Sequence, residues 1–112
     1  AEGNAWARVK GAVLVSEIKA IGHRPAGELP ATARILEVFR AVDNHLGIKT
    51  SMQRSSTDAN IPISLGIEAV AVGGGGRSGA CHSLREWYDP TGREQGLQRV
   101  LLALVLLAGV EE

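Results

Sequence analysis

Three groups of residues in the second half of the chain have the side chains or the main-chain freedom that chemistry requires. Residues 55–60, with the sequence SSTDAN, bring hydroxyls, a carboxylate and an amide together, and such groups orient polar ligands. Four glycines at residues 73–76 allow main-chain N–H groups to approach an anion or a carbonyl oxygen closely. His82 follows, and a neutral imidazole is the commonest metal ligand in proteins.

Each group also has a structural interpretation, and on spacing alone both interpretations stay open. Residues 55–58 can cap the first turn of a helix. The glycine run can be a flexible turn, because it lacks the Lys-Ser/Thr ending of a phosphate-binding loop and does not open directly into a helix. His82 can be a surface or capping histidine, because no HxxxH or CxxC pattern accompanies it. Cys81 has no assignable Asn or Asp orienter, which argues against a thiol nucleophile.

Two long segments have the periodicity of helices. In residues 31–46 apolar side chains recur at helical spacing, and Gly47 supplies a stop. The charged side chains of this segment are expected on the opposite, solvent face, namely Glu37, Arg40 and Asp43. Residues 93–108 predict a final helix whose second half is apolar on every side. A brief helix is expected after the polar cluster, ending near residue 66.

Apolar runs predict strands at residues 11–21 and 67–72, and residues 48–53 could form another. Residues 22–30 contain two glycines and two prolines, which indicates a loop or hinge. The alternation of strands and helices predicts an α/β fold, with a small, mostly parallel sheet and flanking helices.

Composition restricts the function classes. The 112 residues are 45% hydrophobic, and 12 Lys and Arg balance 12 Asp and Glu, which argues against a nonspecific partner such as nucleic acid or an anionic membrane. One cysteine favours the cytoplasm. The apolar run at residues 100–108 is too short to span a bilayer, so we expect it to be buried in a homo-oligomer or against a missing amino-terminal half. The absence of an initiator Met suggests a partial chain.

Residues 55–92 resemble the carboxy-terminal part of the catalytic domain of the co-catalytic zinc exopeptidases, a superfamily that includes peptidase T, acetylornithine deacetylase and the aminoacylases. Residues 21–30 resemble the return from the lid domain of that family. The resemblance implies that residues 1–22 end a lid-domain-like strand, residues 23–30 form a hinge, and residues 31–112 form the carboxy-terminal part of a catalytic-domain-like α/β unit. The resemblance therefore covers nearly the whole chain.

Carried over to this sequence, the resemblance implies that His82 ligates one of two zinc ions and that Glu86 and Trp87 form the acidic-aromatic pair after it. Arg85 and Cys81 depart from the family pattern, as does the asparagine at residue 60, where some relatives have an arginine. The implied substrate-binding residues are Thr57, Asp58, Asn60, Gly74 and Gly75.

The implied substrate is a small peptide or an N-acyl amino acid. The other metal ligands and the general base of the family precede its lid domain, and nothing in these 112 residues corresponds to them. Two hypotheses follow. The chain is a fragment of a zinc-dependent amide-bond hydrolase that is inactive alone, or it is a noncatalytic remnant or self-associating interaction module.

Overall fold

The computed structural model describes residues 15–110, which form three helices and one sheet of two strands. Strands β1 and β2 pair antiparallel, with Ser78 opposite Tyr88, and residues 80–86 connect them. In chain order the elements are helix α1 (Arg34–Leu46), helix α2 (Asn60–Ser64), strand β1 (Arg77–Gly79), strand β2 (Trp87–Asp89) and helix α3 (Arg93–Ala108).

Both ends of α1 are satisfied by hydrogen bonds, but in different ways. At its start no side chain of the adjacent residues caps the helix; instead the two carboxylate oxygens of Glu68 accept hydrogen bonds from the N–H groups of Arg34 (3.1 Å) and Ile35 (3.0 Å). At its end Gly47 adopts a left-handed conformation with φ of 68°. Its N–H donates to the Asn44 carbonyl and the Ile48 N–H donates to the Asp43 carbonyl, which is a Schellman motif.

Helices α1 and α3 pack against each other in antiparallel orientation. The guanidinium of Arg34, at the start of α1, lies 3.5 Å from the Leu106 carbonyl near the end of α3. At the opposite end of the pair, the amide of Gln95 donates to the Leu46 carbonyl at 3.0 Å. The residues buried in the described part of the chain lie in or beside these two helices; they are Ala33, Leu36, Val42, Asp43, Gly96 and Ala103.

The predicted helices are confirmed within a few residues. The prediction for α1 covers residues 31–46, and the helix begins at Arg34. The prediction for α3 covers residues 93–108, and the helix spans those residues. The brief helix expected after the polar cluster is α2. The predicted solvent face of α1 is wrong at one position, because Asp43 is 1% exposed.

The predicted fold class is wrong. In place of a mostly parallel sheet, the described residues contain a two-stranded antiparallel sheet from a part of the chain where no strand was expected. No strand includes residues 48–53, residues 67–72 or the described part of residues 11–21. Residues 11–14 lie outside the described range. Apolar runs form strands only where a second segment pairs with them. Among residues 15–110, the main-chain hydrogen bonds of these segments are those of the Ile48 and Ile67 N–H groups, which donate to the Asp43 and Pro62 carbonyls of the preceding helices and not to another strand.

The described part of the chain is extended. Its Cα radius of gyration is 21.9 Å, whereas a compact domain of this length has about 13 Å. Several large apolar side chains of α3 are consequently more than half exposed, including those of Leu97, Leu101 and Leu104. Among residues 15–110, no helix combines the length and the apolar character needed to cross a membrane.

Candidate functional site

The polar cluster at residues 55–60 is tied to the predicted hinge by Arg24. The Arg24 guanidinium donates to Ser56 Oγ at 3.2 Å and to Asp58 Oδ1 at 3.3 Å. The Asp58 side chain is fully exposed and that of Arg24 is about half exposed, so this ion pair contributes little to stability. Asp58 therefore presents its carboxylate to solvent at the surface of the cluster.

Thr57 and Asn60 form the more ordered part of the cluster. The Thr57 N–H donates to Asn60 Oδ1 at 2.9 Å, and Thr57 Oγ1 accepts from the Ala59 N–H at 3.3 Å. Asn60 Nδ2 donates to the Pro25 carbonyl at 3.0 Å. An amide nitrogen carries two hydrogens, so Asn60 keeps one donor for a ligand, and the Thr57 hydroxyl keeps its proton.

An open groove, here called the central groove, runs beside this cluster with a volume of about 1010 Å³. Residues 48–55 and 69–73 line it, together with Leu36, Phe39 and Arg40 of α1. Thr57 and Asn60 line the groove, whereas the other four predicted site residues do not. The structure thus brings two of the six predicted residues to one cavity.

Gly74 and Gly75 pack against the first half of α3. A Cβ atom on Gly75 would lie 2.9 Å from the Cα atom of Arg93 and 3.0 Å from that of Gly96. A Cβ atom on Gly96 would overlap main-chain atoms of both Gly74 and Gly75. The Gly75 carbonyl also accepts a hydrogen bond from the Tyr88 hydroxyl at 3.3 Å. These glycines allow the main chain of the loop to contact the main chain of α3. The sequence had predicted either ligand binding or a flexible turn for them.

His82 lies in the loop between β1 and β2. Its backbone is left-handed, with φ of 62°, and Ala80 in the same loop has φ of 53°. A left-handed conformation is uncommon for residues other than glycine. The His82 N–H donates to Glu86 Oε2 at 3.2 Å, and the Glu86 N–H donates to the Ser83 carbonyl at 3.1 Å. The loop therefore holds His82 in place by its own hydrogen bonds while the residue stays exposed.

Among residues 15–110, the most buried polar contact joins α1 to α3, and it was not predicted. Arg99 Nη2 donates to Asp43 Oδ2 at 2.8 Å, and Arg99 Nε donates to Oδ1 of the same carboxylate. The Thr50 hydroxyl donates to Asp43 Oδ2 at 2.8 Å, and the guanidinium carbon of Arg99 lies 5.1 Å from the Phe39 ring centroid. The hydrogen bonds from Arg99 and Thr50 hold the pKa of Asp43 below its ordinary value, although burial opposes them.

Two sequence signals could have located this ion pair. Asp43 lies seven residues after Leu36, which is two helical turns, so both belong to one face of α1. Arg99 is the only charged residue between Gly96 and Ala108. A single cation on an otherwise apolar helix indicates a buried partner of opposite charge.

A scan against protein-family models finds none that matches this chain, and a search of curated proteins also finds no match. The resemblance of residues 55–92 to the zinc exopeptidases therefore stays a prediction.

Proposed function

We propose that this chain is part of a zinc-dependent amide-bond hydrolase of the cytoplasm, in which His82 is one metal ligand and the polar cluster holds the substrate. The observation that carries the proposal is the conformation of His82. A left-handed backbone at a residue other than glycine is strained, and such strain clusters at active sites and ligand clamps. The Glu86 carboxylate fixes this conformation through the His82 N–H, which leaves the exposed imidazole free of that contact.

His82 fits a zinc site as one member of a larger ligand set. A catalytic zinc site takes three protein ligands and leaves one position for water. Among residues 15–110, no group of three or more His, Cys, Asp or Glu side chains could hold an ion. The remaining donors therefore have to come from outside this range. Zinc bound in such a set lowers the pKa of a water molecule and polarises the scissile carbonyl.

The groups that would orient the substrate are the Thr57 hydroxyl and the second N–H of Asn60, since both residues line the central groove. Each can donate to a carbonyl or carboxylate oxygen of a small peptide or an N-acyl amino acid. Asp58 does not line the groove, and its exposed carboxylate would accept from an N–H group of a substrate that extends beyond it. Gly74 and Gly75 would act by holding the glycine loop against α3.

The test uses the natural polypeptide that contains these residues, purified with its metal. We expect stoichiometric zinc and hydrolysis of a panel of dipeptides and N-acetyl amino acids. Removing an outer-shell partner costs about 10- to 100-fold in metal affinity or activity, so His82→Ala should cost more than that. His23→Ala, which removes an exposed histidine from the predicted hinge, is the matched control and should retain both zinc and activity. Unchanged zinc content and turnover in His82→Ala would overturn the proposal.

A second candidate function is self-association without catalysis, favoured by the exposed apolar face of α3. Leu97, Leu101 and Leu104 lie on that face, and each is 54–60% exposed. If this candidate is correct, the wild-type chain forms an oligomer in light scattering and Leu101→Gln with Leu104→Gln makes it monomeric. Leu84→Gln, in an exposed loop, is the control. A monomeric wild-type chain would eliminate this candidate.

A further inference from the structure

Residues 24–27, here called the strap, contact the polar cluster through two polar groups. The Arg24 guanidinium donates to Oδ1 of Asp58 at 3.3 Å. The carbonyl of the next residue, Pro25, accepts from Nδ2 of Asn60 at 3.0 Å. The strap therefore occupies one oxygen of the Asp58 carboxylate and one hydrogen of the Asn60 amide. Both residues are among those that the proposed function assigns to the substrate.

A third contact of the strap is steric. A Cβ atom on Gly27 would lie 2.5 Å from Cγ2 and 3.2 Å from Cβ of Ile63 in α2, so any larger residue at this position would have to shift Ile63. Residues 26–29 also line the central groove, as do Asn60 and Ile63. The strap is thus seated at the polar cluster and contributes to the lining of the groove.

Few interactions hold the strap in this position. The Asp58 side chain is fully exposed and that of Arg24 is 47% exposed, so their ion pair is weak. Among residues 15–110, the main chain of residues 15–29 makes one hydrogen bond, the one that Asn60 donates to Pro25. Residues 15–24 are all exposed. Segments with few buried contacts open locally at a low free energy, so the strap can undock while the helices stay folded.

We propose that the strap is an autoinhibitory contact, which has to leave the polar cluster before a substrate binds there. Undocking frees the second hydrogen of Asn60 Nδ2 and removes the cation from the Asp58 carboxylate. The apparent affinity for a substrate is then reduced by the fraction of molecules in which the strap is undocked. The role in inhibition rests on the proposed function, whereas the movement of the strap does not.

The first test measures exchange of the Thr57 amide hydrogen by NMR in the 112-residue chain. This N–H donates to Oδ1 of Asn60, whose Nδ2 is bound to the strap. Gly27→Cys with Ile63→Cys, made together with Cys81→Ser, should form a disulfide that locks the strap. The two Cβ positions are 3.2 Å apart, close to the about 3.5–4.5 Å of disulfides.

The oxidised form of this variant should exchange the Thr57 amide about tenfold more slowly than its reduced form, because the strap can no longer undock. The two forms are the same polypeptide, so the comparison does not depend on how well the variant folds. Equal exchange rates in the two forms would overturn the proposal.

The second test measures steady-state kinetics of the natural polypeptide on the dipeptide panel. Arg24→Ala should lower KM by about two- to fivefold at unchanged kcat, because an exposed ion pair contributes up to about that factor to docking. Lys19→Ala, which removes an exposed cation earlier in the same segment, is the matched control and should keep the wild-type KM.

An unchanged or raised KM in Arg24→Ala would overturn the autoinhibitory role. If the wild-type polypeptide hydrolyses no substrate, the proposed function fails and the autoinhibitory role fails with it. The exchange of the Thr57 amide then still decides whether the strap moves.

Discussion

Asp43 in α1 and Arg99 in α3 form a bidentate ion pair between these two helices. Nη2 of Arg99 lies 2.8 Å from Oδ2 of Asp43. The two side chains differ in exposure: that of Asp43 is 1% exposed and that of Arg99 is 17% exposed. A charge left without its partner is costly in proportion to its burial. The pair is therefore asymmetric, and removing either residue has a different consequence.

We expect Arg99→Ala to destabilise the chain by about 3 kcal/mol, because it leaves the Asp43 carboxylate buried without a cation. Asp43→Ala should cost less, because the Arg99 guanidinium can reach water. The double variant should be more stable than the sum of the two single losses predicts, with a coupling of about 1–3 kcal/mol. Thermal and urea unfolding followed by circular dichroism measures all three. Additive losses would show that the two residues do not interact.

The same pair predicts a dependence of stability on acid. The pKa of Asp43 is lowered in the folded chain, first by the hydrogen bond from Arg99. An unfolded aspartate titrates near pH 3.9, so the stabilisation is complete about one pH unit above that value and is lost progressively as the pH falls through the lower, folded pKa. Wild-type stability should therefore decline from about pH 5 downward.

The stability of Asp43→Asn should decline less below about pH 5, because the asparagine amide gains no proton in that range. The comparison is made by urea unfolding at several pH values, with Glu17→Gln as the control at an exposed carboxyl. Asp89 also has a lowered pKa, because the Thr91 N–H donates to it, but this residue is partly exposed to water and its effect should be small. A decline as steep in Asp43→Asn as in the wild-type chain would exclude the Asp43 carboxyl as the group responsible.

The helices of this chain could be predicted and the sheet could not, because the two depend on different information. Helix α1 ends at a Schellman motif built on Gly47, a signal contained within a few residues. Residues 67–72 have an apolar pattern typical of a buried strand, but pairing depends on a distant segment that the pattern does not identify. In the structure Glu68 of this segment instead caps α1, a contact between residues more than thirty positions apart.

The candidate site was predictable to the extent that it is local. Thr57 and Asn60 are close in sequence, and the structure joins them by a hydrogen bond beside the central groove. Asp43 was assigned to solvent because it is charged, although its position on the Leu36 face of α1 indicated burial. The charge of Asp43 predicted exposure, whereas its position on the helix predicted burial. Arg99 of α3, which compensates the buried carboxylate, is distant in the sequence.

Glu68 should contribute to the stability of α1 as a cap supplied from outside the helix. Its carboxylate accepts from the first two N–H groups of the helix, where a negative charge also interacts favourably with the helix dipole. Glu68→Ala should destabilise the chain by about 1 kcal/mol, and Glu68→Gln, which retains one acceptor oxygen, by less.

Amide hydrogen exchange measured by NMR tests this cap at single residues. In Glu68→Ala the amides of Arg34 and Ile35 should exchange faster, while the Gly47 amide, bonded at the other end of α1, should change less. An unchanged exchange rate at Arg34 and Ile35 would mean that the carboxylate does not cap the helix in solution.

Gly96 should resist substitution even though alanine is the better helix former. In an open helix position, Gly→Ala stabilises by about 1 kcal/mol. At Gly96 the added Cβ would overlap main-chain atoms of Gly74 and Gly75, which cannot move as a flexible side chain can. We therefore expect Gly96→Ala to lower the unfolding midpoint and to displace the glycine loop from α3. Gln98→Ala, at an exposed position of the same helix, should leave the midpoint nearly unchanged. A Gly96→Ala variant as stable as the wild-type chain would show that the loop and α3 are not in contact in solution.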